Sequence, residues 1–296
     1  MAKHRDDYYE QRFERFDRRK QGRRIRGARS ICDLTMSNAE AEAFAIHDEP
    51  PRFKERGLQD LHERGILDEL LYQLKSGKEA TVFVGRGGNG LVAVKVYADL
   101  RVRSFRNDVV YSEGRYIGDV RLQKAIDQHS RAGIDARQAL WVEEEYRQLG
   151  LLHAAGVPVP TPLGCSGRAI AMEFVGDEHG PAPRLSEAKL SPPVATDAFR
   201  QCVENLAHIV GLGKVHGDYS TFNILWWRAR AIVIDLPQVI EIASNHNART
   251  LLRRDVESLC TSFSRLGIEA RPEDVLRAVI NRAGGNGPGN SSPGNF

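Results

Sequence analysis

Apolar residues along the chain follow two different rhythms. Leu58, Leu61 and the run Ile66 to Leu74 lead into Ala80-Thr81-Val82-Phe83-Val84. Leu91-Val92-Ala93-Val94-Lys95-Val96-Tyr97 follows after Gly85-Arg86-Gly87-Gly88-Asn89-Gly90. Short β-rich runs broken by glycine predict antiparallel strands, the second and third joined by a Gly-rich hairpin, and hence a small twisted sheet. Helical spacing takes over from Trp141 through Leu149, Leu151 and Leu152. Val157-Pro158-Val159-Pro160-Thr161-Pro162 then reads as an extended connector and Arg168 to Gly176 as a buried strand ending in glycine, which places a hinge between two lobes. Beyond Pro183, one helical face carries Phe199, Cys202, Leu206, Ile209 and Val210. A second carries Leu251, Leu252, Val256, Leu259 and Phe263, and a third helix opens at Pro272 with Val275 and Ile280.

Polar stretches set the boundaries. Residues 1–48 read as a basic arm, densest at Arg18-Arg19-Lys20 and Arg23-Arg24, with Tyr9, Phe13 and Phe16 at one-face helical spacing. Residues 49–175 make a first lobe with a flexible loop over 99–139, residues 176–282 a second lobe, and the Gly/Asn-rich residues 283–296 a disordered tail. Over 296 residues, 41% hydrophobic and 27% charged content is that of a soluble protein with ample core, and a net charge of +3 implies no polyanion partner by itself. Only the arm concentrates charge, which reads either as a solvated tail or as a basic arm that touches RNA, a ribosomal particle or an acidic protein. The four cysteines form no CxxC pair, so a zinc site and a disulfide framework are both disfavoured and reduced thiols are expected. No apolar run nears the ~20 residues of a spanning helix. A cytoplasmic protein without a membrane segment is expected.

Chemistry concentrates in Val215-His216-Gly217-Asp218-Tyr219-Ser220-Thr221-Phe222-Asn223-Ile224-Leu225, followed by Ala231-Ile232-Val233-Ile234-Asp235. A His-x-Asp loop, an Asn five residues past the Asp and an apolar strand ending in a second Asp bring together a base and two hard-metal ligands. Asp218 is placed to accept or orient the proton of an attacking hydroxyl; Asn223 and Asp235 suit a Mg2+ or Mn2+ ion bridging nucleotide phosphates. Phosphoryl transfer is the chemistry implied. Lys95, late in an apolar strand, needs anionic partners such as a carboxylate and phosphates, and the acidic run Glu143-Glu144-Glu145 supplies candidates. Ser76-Gly77-Lys78-Glu79 is not a Walker A loop, but between two strands its small residues let amides approach phosphates, with Ser76 and Lys78 as added donors. Backbone groups of Glu173 and Val175 at the hinge are candidates to pair with adenine.

With these pieces in order, the chain resembles the RIO family of atypical serine/threonine protein kinases from about Gly65 to about Ala270, most closely its first subfamily. The likeness is carried by Ser76-Gly77-Lys78-Glu79-Ala80, Val94-Lys95-Val96-Tyr97, Trp141 with Glu145 and Leu149, Pro158 with Pro160, His216-Gly217-Asp218 with Asn223, Ile234-Asp235 with Gln238, and Arg254-Asp255. Phe105, Arg106 and Asp108 fit the family's flexible loop. The resemblance implies an α+β, two-lobed kinase-like fold: a small antiparallel-sheet first lobe and a mainly helical second lobe without an activation segment. It makes Glu145 the carboxylate pairing Lys95, puts Ser220 near the usual catalytic-loop Lys, and makes Asp235 the metal ligand and a candidate site of an aspartyl-phosphate. It also implies ATP with Mg2+ as cofactors, a protein substrate or autophosphorylation, ATPase activity, and, by analogy with relatives, small-subunit ribosome maturation. Glu144, Lys75 and Pro237 depart from the family pattern. Two other readings share the motifs: a nucleotide-gated assembly factor for RNA or ribosomal particles, and a small-molecule kinase of the aminoglycoside-phosphotransferase type, whose loop also reads His-Gly-Asp-x-x-x-x-Asn.

Overall fold

The computed structural model describes residues 30–37, 52–77, 79–98 and 131–285. Lys78, the loop residues Phe105, Arg106 and Asp108, and Tyr9, Phe13 and Phe16 of the arm lie outside them. The chain divides into two compact units, Met1–Arg103 with Gly164–Ala171, and Ser104–Leu163 with Met172–Phe296.

The first unit carries the expected small sheet. Strands β1 (Glu69–Ser76), β2 (Ala80–Gly87) and β3 (Gly90–Tyr97) run antiparallel in succession, and the hairpin of β4 (Pro162–Ser166) and β5 (Ala169–Glu173) completes the order β1-β2-β3-β5-β4. Gly87 faces Gly90 across the tight β2–β3 turn, and a Cβ at Gly87 would sit 2.1 Å from the Ile66 carbonyl oxygen, so only glycine fits. Val92, Val94 and Val96 are buried on one face of β3 by strand alternation, while Leu91, Ala93, Lys95 and Tyr97 share the other. Part of the stretch read as a basic arm is folded: Ser30 and Asp33 form a reciprocal capping box on helix α1 (Ile31–Leu34), and Thr35 bridges to Phe53. Leu34 and Phe53 are buried, as are Leu58 and Leu61 of helix α2 (Arg56–Glu63).

The second unit is mainly helical, with α3 (Arg131–Ala154), α4 (Pro192–Gly211), α5 (Ala248–Ser264) and α6 (Pro272–Gly285). Between them lie three two-stranded ribbons: β6 (Gly176–Asp177) with β7 (Gly180–Pro181), β8 (Lys214–Val215) with β11 (Ile240–Glu241), and β9 (Ile224–Trp227) with β10 (Arg230–Val233). Leu152, Cys202, Leu206, Ile209, Val256, Leu259, Phe263 and Val279 form its core, so the helical faces expected for α4 and α5 are the buried ones. Two boundaries differ from expectation. Helix α3 starts at Arg131, inside the stretch read as a loop to residue 139; the sequence of its first turns lacks an apolar period, and Gln138 within them is only 4% exposed. Helix α6 runs on through Gly285, into the stretch read as a tail, because Ala283 packs on the core beside Gly211. Among the described residues no helix is long and apolar enough to cross a membrane.

Candidate active site

Ribbon β8–β11 sets Ile240 opposite Val215 and Glu241 opposite Lys214, and β8 delivers the chain into His216-Gly217-Asp218. Gly217 takes φ +83°, a left-handed turn that a side chain would oppose. The loop then tightens: a 3-10 turn over Thr221–Asn223 is closed by Asn223 N donating to the Ser220 carbonyl at 2.9 Å. Asn223 Nδ2 donates both to the Asp218 carbonyl at 3.0 Å and to Asp218 Oδ2 at 2.8 Å. Hairpin β9–β10 returns the chain so that Ile234 N donates to the Asn223 carbonyl at 2.9 Å. Asp218, Ser220 and Asn223 therefore form one bonded loop, and Asp235 follows the residue anchored to it. Ser220 and Asn223 are buried while Asp218 and Asp235 are exposed. Asp235 has φ +68°, a conformation costing a non-glycine residue about 1 kcal/mol or more that the surrounding bonds must hold.

The frame beneath the loop is hydrogen-bonded through a buried carboxylate. Asp255 on α5 is 2% exposed; its Oδ2 accepts from Gly217 N at 2.8 Å and its Oδ1 from Tyr219 N at 2.9 Å. Tyr219 is buried, its hydroxyl donating to the Cys202 carbonyl on α4 at 2.9 Å, and its ring meets His216 edge-on at 5.4 Å. Burial pushes the Asp255 carboxyl up to about 7, with the Asp218 charge adding to the rise and the two amides and Arg254 opposing it. His216 is fully buried, its Nδ1 accepting from Asp218 N at 3.3 Å. Desolvation lowers its pKa to about 4 despite the nearby Asp235 carboxylate and the Ile234 backbone. A neutral imidazole at physiological pH acts here as a spacer with one acceptor, not as an acid or base.

Other residues singled out from sequence are carried by other elements. Ser76 and Thr81 face each other across β1 and β2, with hydroxyls 3.4 Å apart, and Gly77 N donates to the Ala80 carbonyl at 2.9 Å. Lys95 on β3 pairs with Val82 of β2, and its Nζ lies 5.1 Å from the centroid of the Tyr97 ring. Glu145 is buried on α3; its neighbour Glu144 is occupied along the same helix by Arg147, through two 2.8 Å bonds, and by Gln148 at 2.7 Å. Glu173 uses its amide on the Thr161 carbonyl at 2.8 Å and its carboxylate on Thr161 N and Oγ1 at 3.0 and 2.7 Å. The Val175 carbonyl accepts from Ala182 N at 2.9 Å.

Residues 81–276 match the RIO domain family. This chain belongs to the RIO family. It is similar to the RIO-type serine/threonine-protein kinase Rio1 of Haloferax volcanii, 33% identical over 77% of this chain and 75% of that one, and to that of Thermoplasma acidophilum, 29% identical over 67% and 98%. Against the serine/threonine-protein kinase RIO1 of Caenorhabditis elegans it is 31% identical, spanning 74% of this chain but only 42% of the relative. A solved complex of Rio2 kinase with ADP/Mg2+ and phosphoaspartate, from Chaetomium thermophilum, superposes with a TM-score of 0.54 at 20% identity, covering 75% of this chain and 64% of that one. A second structure of that kinase gives 0.56 at 19%. These structures establish the shared fold, α+β and kinase-like.

Sequence reasoning assigned no task to Asp255 or His216 in this RIO chain, although both stood in matching motifs. Asp255 lies 37 residues from Asp218 in a helix whose other inward residues are apolar, so only the fold shows that it holds two amides of the loop. A charged residue on the buried face of an amphipathic helix was the available signal. Among the described residues no three His, Cys, Asp or Glu side chains cluster tightly enough to hold a metal alone. The donors on hand are oxygens: the Asp235 carboxylate and Asn223 Oδ1, since Asn223 Nδ2 is engaged by Asp218. That set fits a hard cation which takes its remaining ligands from phosphates and water.

Proposed function

We propose that this RIO-family chain is an ATP- and Mg2+-dependent serine/threonine kinase with intrinsic ATPase activity, working through Asp218, Asn223 and Asp235. What carries the proposal is the single bonded loop in which a buried Asn223 grips the exposed Asp218, with Asp235 set beside it in a left-handed conformation. Asn223 and Asp235 would hold Mg2+, which would supply Lewis-acid neutralisation of phosphate charge. Lys95, supported by Glu145, binds the nucleotide's α and β phosphates, with Ser76 and Lys78 as further donors and Ser220 beside the transferred group. With the Glu173 amide and the Val175 carbonyl already bonded, the Glu173 carbonyl and Val175 amide are the groups offered to adenine.

Strained backbone at Asp235 favours a direct part in the chemistry. In the first step an Asp235 carboxylate oxygen attacks the γ phosphorus, the bond to the bridging oxygen breaks, and ADP leaves. In the second, water or an acceptor hydroxyl attacks the acyl phosphate, gives its proton to Asp218, and frees the Asp235 carboxylate. The Rio2 complex bearing a phosphoaspartate supports this route as chemically accessible on the same fold.

Incubation with γ-labelled ATP, an acid quench and hydroxylamine treatment test the scheme. Label on the chain should be released by hydroxylamine and be absent from Asp235→Asn, while Lys95→Ala and Glu145→Ala should each lower turnover roughly 100-fold or more. Hydroxylamine-resistant label would replace the covalent route by direct transfer assisted by Asp218. Turnover unaffected by Asp218→Asn and Asp235→Asn would remove the assignment of the site.

A further inference from the structure

Tyr97 stands two residues after Lys95 on β3, on the same strand face, and the Lys95 ammonium lies over its ring at 5.1 Å. The ring is 2% exposed and cannot swing away. Its hydroxyl, fully buried, has no hydrogen-bond partner among the described residues. Burying a phenol without a partner is unfavourable compared with a phenyl group of the same shape, so the hydroxyl does not account for an aromatic residue at this position. The face of the ring does: its negative quadrupole attracts a cation held within about 6 Å. Backbone partners do not decide the choice. Tyr97 N donates to the Arg168 carbonyl at 2.8 Å, Ala80 is its cross-strand partner in β2, and neither contact requires an aromatic side chain.

We propose that Tyr97 is a positioning residue for the strand lysine, its ring face holding the Lys95 ammonium in place between turnovers so that phosphates meet a cation already oriented. The inference rests on the reading of Lys95 as the nucleotide's phosphate ligand. Tyr97→Phe keeps the ring and removes the unpaired hydroxyl; Tyr97→Leu keeps apolar bulk and removes the quadrupole. Wild type, both variants, Lys95→Met, and the Lys95→Met/Tyr97→Leu double variant are compared as full chains for Mg-ATP affinity by calorimetry and for ATP turnover, with thermal melts to verify folding. Tyr97→Phe should stay within about twofold of wild type, while Tyr97→Leu should lose roughly three- to tenfold in kcat/KM, the span of a partly desolvated cation–π contact. In the Lys95→Met background the leucine substitution should cost nothing further. An equal loss in both backgrounds, or an equal loss in Tyr97→Phe and Tyr97→Leu, would make Tyr97 a packing residue and overturn the proposal. So would a Tyr97→Leu protein that matches wild type. Lys95→Met that binds and turns over ATP like wild type would instead overturn the reading of Lys95 on which this one stands.

Discussion

A histidine shut off from solvent two residues before Asp218 makes this site sensitive to acid for a reason unrelated to proton transfer. The folded pKa of His216 is about 4 and the ordinary value 6.5, so the unfolded chain binds a proton first as pH falls. Stability attributable to His216 is therefore whole above pH 6.5 and lost between 6.5 and 4, by roughly 3 kcal/mol at the limit. Asp255 works with the opposite sign: its folded pKa, about 7, lies above 3.8, so its contribution is whole at low pH and fades as pH rises to 7. Comparing wild type with His216→Gln isolates the histidine, since Asp255 is common to both. In urea melts at pH 6.5 and 4.5 the wild type should lose roughly 2 kcal/mol relative to the variant; a gap independent of pH would refute the assignment. The motif showed that a histidine precedes the aspartate; that it is buried and neutral followed only from its surroundings.

Ribbon β8–β11 flanks the loop on both sides, since β8 leads to Asp218 and β11 follows Asp235. It is pinned by charge: Lys214, with a side chain 8% exposed, is bonded to Glu241, which is 44% exposed and also lies 3.8 Å from Arg147 of α3. The exposed carboxylate limits the strength of the pair, but removing it strands a buried ammonium. Glu241→Ala should cost roughly 1–3 kcal/mol in urea denaturation, and Lys214→Met, which removes the charge itself, distinctly less. Equal costs would mean that the ribbon is held by packing alone. Sequence could not suggest this pairing, because two-residue strands have no readable alternation and the partners are 27 positions apart.

On the scale of the whole chain, this protein spans most of two archaeal relatives but less than half of the nematode one. The basic residues preceding Ser30 lie outside the described residues. Ser30 itself caps α1, accepting from Asp33 N, so a truncation that tests the basic arm should begin at Ser30 and retain that cap. Such a chain should keep ATP turnover within about twofold of full length, yet lose the salt-sensitive part of any RNA affinity. Titrating a labelled RNA at several salt concentrations measures it, and identical slopes for the two chains would exclude the arm from binding.

Periodicity was enough for the sheet and for the buried faces of α4 and α5, because alternation of two and spacing of 3.6 are backbone geometry written directly into side-chain order. The loop motif was equally legible, since Asp218 and Asn223 are close enough along the chain for local geometry to bond them. The start of α3 was not legible, because the sequence of its first turns carries no apolar stripe and Gln138 within them is buried. Nor was the strain at Asp235: an aspartate can adopt many backbone conformations, and the left-handed one is imposed by the bonds that tie Ile234 to Asn223 and the following residues into β11. The carboxylate of Asp255 became meaningful only when folding set a distant helix under two loop amides. Side-chain order specifies which groups a chain owns and which face each local element buries; which distant partner a buried polar group meets depends on long-range packing, and that exists only in the folded molecule.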